Sequence, residues 1–274
     1  MIMNRLTMLA VTLMASMACF AQGKGGKLAT GLPNPGLTKG KTFYYKGVEY
    51  ELTRDPEGDV ALYYVKAIGF EKTLLDNFDL MDEEPLNNDL TIFHYEIPKQ
   101  GQTGIPFIVE SVNANAFQDV DATLAEKIKR LIIEHSEDAR VNGACVELPT
   151  TGSTFAGLTG LKTIDSRIPG ESLQEISEDT FAENVYNKAT LIVPEGSLKA
   201  YNGTDFWSYF YKVTDGDHIK GDVDGDNKVN AWDFQLILEA FLYNDPYDPL
   251  FDLDGDGKIT AFDAQLVLDI FKVY

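Results

Sequence analysis

DVDGDNKVNAWD, residues 222–233, and DLDGDGKITAFD, residues 252–263, write one twelve-residue pattern twice. The copies stand 30 residues apart, and eleven of the twenty residues in 222–241 recur at the same place in 252–271. Both copies put Asp at positions 1, 3, 5 and 12. Carboxylates gathered this closely repel one another unless a cation lies among them. A calcium ion takes roughly six to eight oxygens, and a twelve-residue loop offers them from positions 1, 3, 5, 7, 9 and 12. In the first copy those are Asp222, Asp224, Asp226, the carbonyl of Lys228, Asn230 (directly or through water) and Asp233. In the second they are Asp252, Asp254, Asp256, the carbonyl of Lys258, Thr260 and Asp263. The expectation is two Ca2+ ions that stabilise the fold itself. Mg2+ is disfavoured because it seldom uses an all-protein oxygen cage. Position 6 turns sharply; the second copy has Gly257 there, the first Asn227, which tolerates positive φ better than most residues.

A helix is predicted after each loop, over 232–242 and 262–271, with Leu236, Ile237, Leu238 and Phe241 recurring as Leu266, Val267, Leu268 and Phe271. The segments before the loops, TDGDHIKG and NDPYDPLF, are not helical in pattern. Each unit is thus half of a helix–loop–helix calcium motif, with Asp at position 12 where Glu is usual. The duplicated half-motif, GDVDGDNKVNAWD and FDLDGDGKITAFD within residues 219–274, resembles the type I dockerin family. That resemblance implies two antiparallel helices holding two Ca2+ and a role in docking onto a cohesin module of another protein. It also implies that positions 10 and 11 touch the partner, here Ala231, Trp232, Ala261 and Phe262. Many dockerins carry hydroxyl residues there, so this chain departs from the family at the residues that read the partner. Trp232 and Phe262 have two open readings, internal packing or an exposed interface anchor.

The formal net charge is −20 over 274 residues. Residues 215–274 contribute −10 of it, from 13 Asp, 1 Glu and 4 Lys. Such a balance argues against nucleic acid and anionic membranes as partners. At the other end, Arg5, the apolar run 6–18 and Cys19-Phe20-Ala21 read as a signal peptide, residues 1–21, cleaved near Ala21. The run is too short for a comfortable transmembrane span. The expected location is secreted or at the cell surface; acylation of Cys19 as a lipoprotein is the alternative. The mature chain then keeps Cys145 alone and no internal disulfide, so calcium is the available staple.

Residues 22–40 read as a flexible linker of Gly, Lys and Pro. Strands are predicted at 43–52, with a turn at Lys46-Gly47, and at 59–68, 90–97 and 106–112. A looser recurrence follows, in which an apolar strand is succeeded by a small-residue turn and Phe117, Phe155 or Phe181. The intervals of 38 and 26 residues are irregular, so composition supports only a weak repeat. The wording ESVNANAF, ISEDTF and LIVPEGSLKAYNGTDFWSYF resembles bacterial surface leucine-rich repeats of the BspA-like type. The resemblance implies a stack of repeats over about 40–213, closed by Val193, Pro194, Gly196, Ser197, Leu198, Tyr201, Trp207 and Phe210. Ser197 is expected to cap a short helix and Asn202-Gly203 to end it. Residues 121–150 depart from the repeat, and 121–141 read as a helix with Leu124, Ile128, Leu131 and Ile132 on one face.

The fold class expected is α+β: a β-rich, leucine-rich-repeat-like domain at 41–213, then a small all-α, dockerin-like calcium module at 214–274. No HExxH, nucleophile elbow or Walker loop accompanies His94, His135 and His218. A Cys145–His pair has no support in the spacing, and Glu134 with Glu137 reads as solvated surface. The expectation is a non-catalytic interaction protein with a cohesin-like partner and a protein or glycan ligand on the repeat surface. Membership of a polysaccharide-degrading complex, and a calcium-stapled surface protein with no cohesin partner, are the alternatives.

Overall fold

A computed structural model describes residues 27–56, 62–82, 86–100, 102–138, 140–141, 144–216, 219–224, 228–244 and 246–272. The signal segment, Cys19, His218, Asp226 and Asn227 lie outside the described residues. The chain opens with a hairpin, β1 (Thr42–Tyr45) and β2 (Val48–Leu52). Lys46 and Gly47 turn it with φ of 46° and 82°, the positive pair a two-residue hairpin needs. In β2 the buried Val48, Tyr50 and Leu52 alternate with Glu49 and Glu51, so one face meets the core and the other water. This hairpin joins β3 (Tyr63–Phe70), β6 (Phe107–Val112) and β5 (Tyr95–Glu96) in a five-stranded sheet ordered β1-β2-β3-β6-β5.

The second sheet is wholly parallel and follows the chain. It contains β4 (Asp89–Ile92), β7 (Arg130–Ile133), β8 (Thr163–Ser166), β9 (Thr190–Ile192) and β10 (Lys212–Thr214), each beside the next. Its register aligns Leu90, Leu131, Ile164, Leu191 and Val213 across the sheet, and all five are buried. A row of rings accompanies this ladder. Phe117 stacks on Phe155 at 5.6 Å between centroids, and Phe155 on Phe181 at 5.5 Å. The turns that carry the rings are hydrogen-bonded coil to coil, Phe117 N–H to Thr154 O and Phe155 N–H to Thr180 O. The three rings thus stack although they stand 38 and 26 residues apart along the chain. At the last coil Trp207 and Phe210 cover the end, fully buried, with Trp207 Nε1 donating to Gln174 O at 2.9 Å.

Three expectations fail here for local physical reasons. Residues 121–141 are not one helix: α2 (Ala122–Lys127), which follows α1 (Lys72–Asp76), is capped by Asp121 and ends as Ile128 turns extended. The adjacent β-branched Ile132 and Ile133 favour a strand, and β7 satisfies its backbone against β4 and β8. Ser197 makes no cap hydrogen bond to α4 (Leu198–Asn202), which follows α3 (Glu183–Lys188); its hydroxyl accepts instead from Gly170 N–H at 3.0 Å. Residues 28–37, expected as tether, are bound to the domain: Leu32 is buried, Ala29 N–H donates to Glu71, and Tyr63 O–H donates to Asn34 O.

His94 is buried among these coils, its Nδ1 accepting from Ser136 N–H at 2.9 Å and its ring stacked on His135 at 5.5 Å. Burial, then the neighbouring His135, push its imidazole down from 6.5 to about 4. The ring is neutral in the fold and takes a proton on unfolding. Its contribution is therefore complete above pH 6.5 and is lost as pH falls towards 4. Urea unfolding at about pH 7 and about pH 4.5 should show roughly 2–3 kcal/mol of lost stability that His94→Gln abolishes. An equal loss in the variant contradicts this.

Candidate metal centre

Each calcium-type loop leads directly into a helix, the first into α5 (Ala231–Tyr243) and the second into α6 (Ala261–Phe271). The junction is a capping box in both copies. Asn230 Oδ1 accepts from Trp232 N–H at 2.8 Å, and Asp233 Oδ2 accepts from Asn230 N–H at 2.8 Å. Thr260 Oγ1 accepts from Phe262 N–H at 3.1 Å, and Asp263 Oδ2 from Thr260 N–H at 2.8 Å. Asp at position 12 thus closes the loop and caps the helix together. It also reaches the loop's start: Asp233 Oδ1 accepts from Val223 N–H, and Asp263 Oδ1 from Leu253 N–H. Both carboxylates are fully buried.

Three carboxylates converge in each loop. Oxygens of Asp222, Asp224 and Asp233 lie within 4.8 Å of one another in the first loop. In the second the cluster is Asp252, Asp254 and Asp256, and Asp263 stands outside it. The Asp254 carboxyl is held above its ordinary range, by burial first and then by the charges of Asp263, Asp256 and Asp252. Asp252 supplies the most telling atom. Its Oδ2 accepts from Tyr247 O–H at 2.6 Å and Gly257 N–H at 2.9 Å, while its buried Oδ1 has no partner. A buried carboxylate oxygen without a partner is costly, and a cation in the loop would relieve that cost. The donors present are all hard oxygens, which fits Ca2+. Lys228, at position 7 of the first loop, is exposed, and Lys258 N–H donates to Asp256 at 2.8 Å.

Beneath the loops Val229, Ile237, Leu253, Ala264, Val267 and Ile270 form a small core of their own, with Ile259 packed on it. Position 8 of each loop, Val229 or Ile259, thus joins both loops to one apolar centre. The helices leave their position 10 and 11 residues outside. Ala231 and Ala261 are exposed, Trp232 is 54% exposed and Phe262 57%. Of the two open readings for these rings, internal packing is excluded.

Residues 220–270 match the family model of the dockerin type I domain. The match covers the C-terminal module alone. No curated protein and no solved structure matches the chain. A dockerin domain implies calcium binding and docking to a cohesin. No helix among the described residues is long and apolar enough to cross a membrane.

The dockerin module is seated on the end of the β-rich region by contacts that the sequence does not announce. A Cβ on Gly255, in the second loop, would fall 2.4 Å from Gly203 Cα. Lys199 Nζ donates to Tyr247 Oη at 2.5 Å, and that phenol donates in turn to the loop residue Asp252. The buried Lys220 Nζ donates to Ser208 O at 3.2 Å. Gly203 ends α4 as expected, with a φ of −96° and its N–H donating to Lys199 O, and it also serves the close approach. Gly255→Ala should cost about 1–3 kcal/mol of overpacking beyond its backbone strain. Gly257→Ala is the control, since Gly257 shares the positive φ but has open space around it. Equal losses of thermal stability in the two variants would contradict the contact.

Among the other candidates, Cys145 Sγ lies 3.6 Å from His135 Nδ1, a pair ten positions apart in sequence that the spacing concealed. Burial pushes the thiol up, so it is protonated at neutral pH. Glu134 pairs with Arg167 at 3.7 Å, and its carboxyl is raised by burial and then by Glu96.

Proposed function

We propose that this chain is an exported, non-catalytic interaction protein. Its dockerin module, loaded with two Ca2+, docks onto a cohesin through Ala231, Trp232, Ala261 and Phe262. The β-rich region acts as a leucine-rich-repeat-like array that offers a protein or glycan partner its outer face. The observation that carries the docking reading is the pairing of two carboxylate clusters with two exposed aromatic rings, each fixed one residue before a buried capping Asp. Loop and ring are thus one rigid unit, and loading the loop positions the ring. The parallel ladder and the stacked phenylalanines support the repeat reading. Calorimetry of the full chain against purified cohesin modules tests the docking. Binding in calcium, loss in chelator and weakening by Trp232→Ala or Phe262→Ala are expected. Absence of binding to every cohesin, with calcium present, contradicts it.

A second reading makes the calcium module a structural end piece. The contacts of Gly255 with Gly203 and of Lys199 with Tyr247 favour it, because they tie the second loop to the rest of the chain. The same calorimetry separates the two.

A further inference from the structure

Between the dockerin module and the last coils lies a groove of about 620 Å³. Phe262 and Leu266 form one wall, and Tyr186 and Tyr209 form the other. Glu178, Asp179 and Glu183 stand at its rim. We propose that this groove is a second reading surface for the docked partner, and that it takes a lysine or arginine side chain of that partner. The proposal rests on the docking reading above.

The first element is charge. Glu178, Asp179 and Glu183 are exposed, and none makes an ion pair among the described residues. In a chain of net charge −20 such a rim attracts a cation and repels an acidic surface. The cation lining the groove, Lys220, is buried at the base and already donates to Ser208 O, so it does not neutralise the rim. Aromatic faces add the second element. Tyr209 is 46% exposed, and its ring is held edge-on by Tyr186 at 5.7 Å and by Phe206 at 5.4 Å. Tyr186 is itself held by Phe181, the last ring of the stack, at 5.7 Å. Fixed aromatic faces beside carboxylates suit an ammonium or guanidinium group, whose stem lies on the rings while its head meets the acids. Position supplies the third. Phe262 belongs to the dockerin's docking residues and to the groove wall at once. A partner seated on the second copy therefore meets Tyr209 and the acidic rim. A partner seated on Trp232 of the first copy meets neither, since Trp232 does not line the groove. The two copies, alike in sequence, thereby become unequal.

The test uses the full chain in calcium, purified cohesin modules, and stopped-flow association at low and raised salt. Glu178→Gln, Asp179→Asn and Glu183→Gln together keep the shape and remove the charge. The triple variant should associate about tenfold more slowly at low salt and lose most of the salt dependence, with dissociation little changed. Tyr209→Ser should speed dissociation. Circular dichroism checks that both variants remain folded. Unaltered association in the triple variant overturns the proposal and leaves docking standing. A neutral oligosaccharide that shifts the Tyr209 and Phe262 amide resonances, while the triple variant still associates normally, assigns the groove to a glycan and also overturns it. If no cohesin binds the wild-type chain in calcium, docking fails, and the groove proposal fails with it.

Discussion

Asp252→Ala should lower the number of calcium ions bound from two to one and loosen the whole C-terminal module. The residue holds position 1 of the second loop, and three features meet at its carboxylate. Its Oδ1 is buried without a partner, its Oδ2 accepts from Tyr247 and Gly257, and Tyr247 carries the link to Lys199. Substitution removes a metal ligand and frees the phenol that joins the modules. At free calcium a hundredfold above the dissociation constant, a filled loop adds about 2.7 kcal/mol to folding, and that amount is forfeited. The matching Asp222→Ala should cost one ion as well, with a smaller effect on the junction, because the tyrosine link belongs to the second loop. Calcium calorimetry and thermal unfolding of both variants check this. Two ions still bound by Asp252→Ala contradict the ligand assignment.

Phe155→Ala should be the most damaging single change outside the loops, at about 3–5 kcal/mol. Its ring is fully buried with Phe117 on one side and Phe181 on the other. Neither neighbour is free to close the gap, because Phe117 N–H is bonded to Thr154 O and Phe181 is packed against Tyr186 and Phe210. For a chain of this size the shift in unfolding midpoint is about 2–4 °C per kcal/mol, large enough for a single scan to show. Phe262→Ala is the counterpart: an exposed ring of the same chemistry whose removal should leave stability within about 0.5 kcal/mol of wild type. Similar shifts in the two variants would contradict the stacked core.

Much of the candidate metal centre's carboxylate geometry was legible from residue spacing. Carboxylates at positions 1, 3 and 5 of a loop must converge, and the structure gathers Asp252, Asp254 and Asp256. The capping boxes were written in Asn230-x-x-Asp233 and Thr260-x-x-Asp263, a signal available in the sequence but read there only as ligands. The exposure of Trp232 and Phe262 was undetermined, because a ring beside a buried capping residue points inward or outward according to helix phase alone. In the β-rich region the short strands were visible through their β-branched and aromatic residues. The ring stack was obscured, since intervals along the chain do not report which residues share a coil position. Residues 121–141 misled because Leu124, Ile128, Leu131 and Ile132 are buried in the helix-then-strand arrangement just as they would be along one helix face. The junction was invisible: Gly203 and Gly255 meet backbone to backbone, and no residue type announces its contact across 52 positions.

The most direct test of the account is a calcium titration of the full chain from chelator, followed by calorimetry against a cohesin module at each end point. Two ions should bind, helix content should rise as they bind, and only the loaded chain should bind cohesin. Cohesin binding that persists in chelator, or a chain that takes up no calcium, would contradict it.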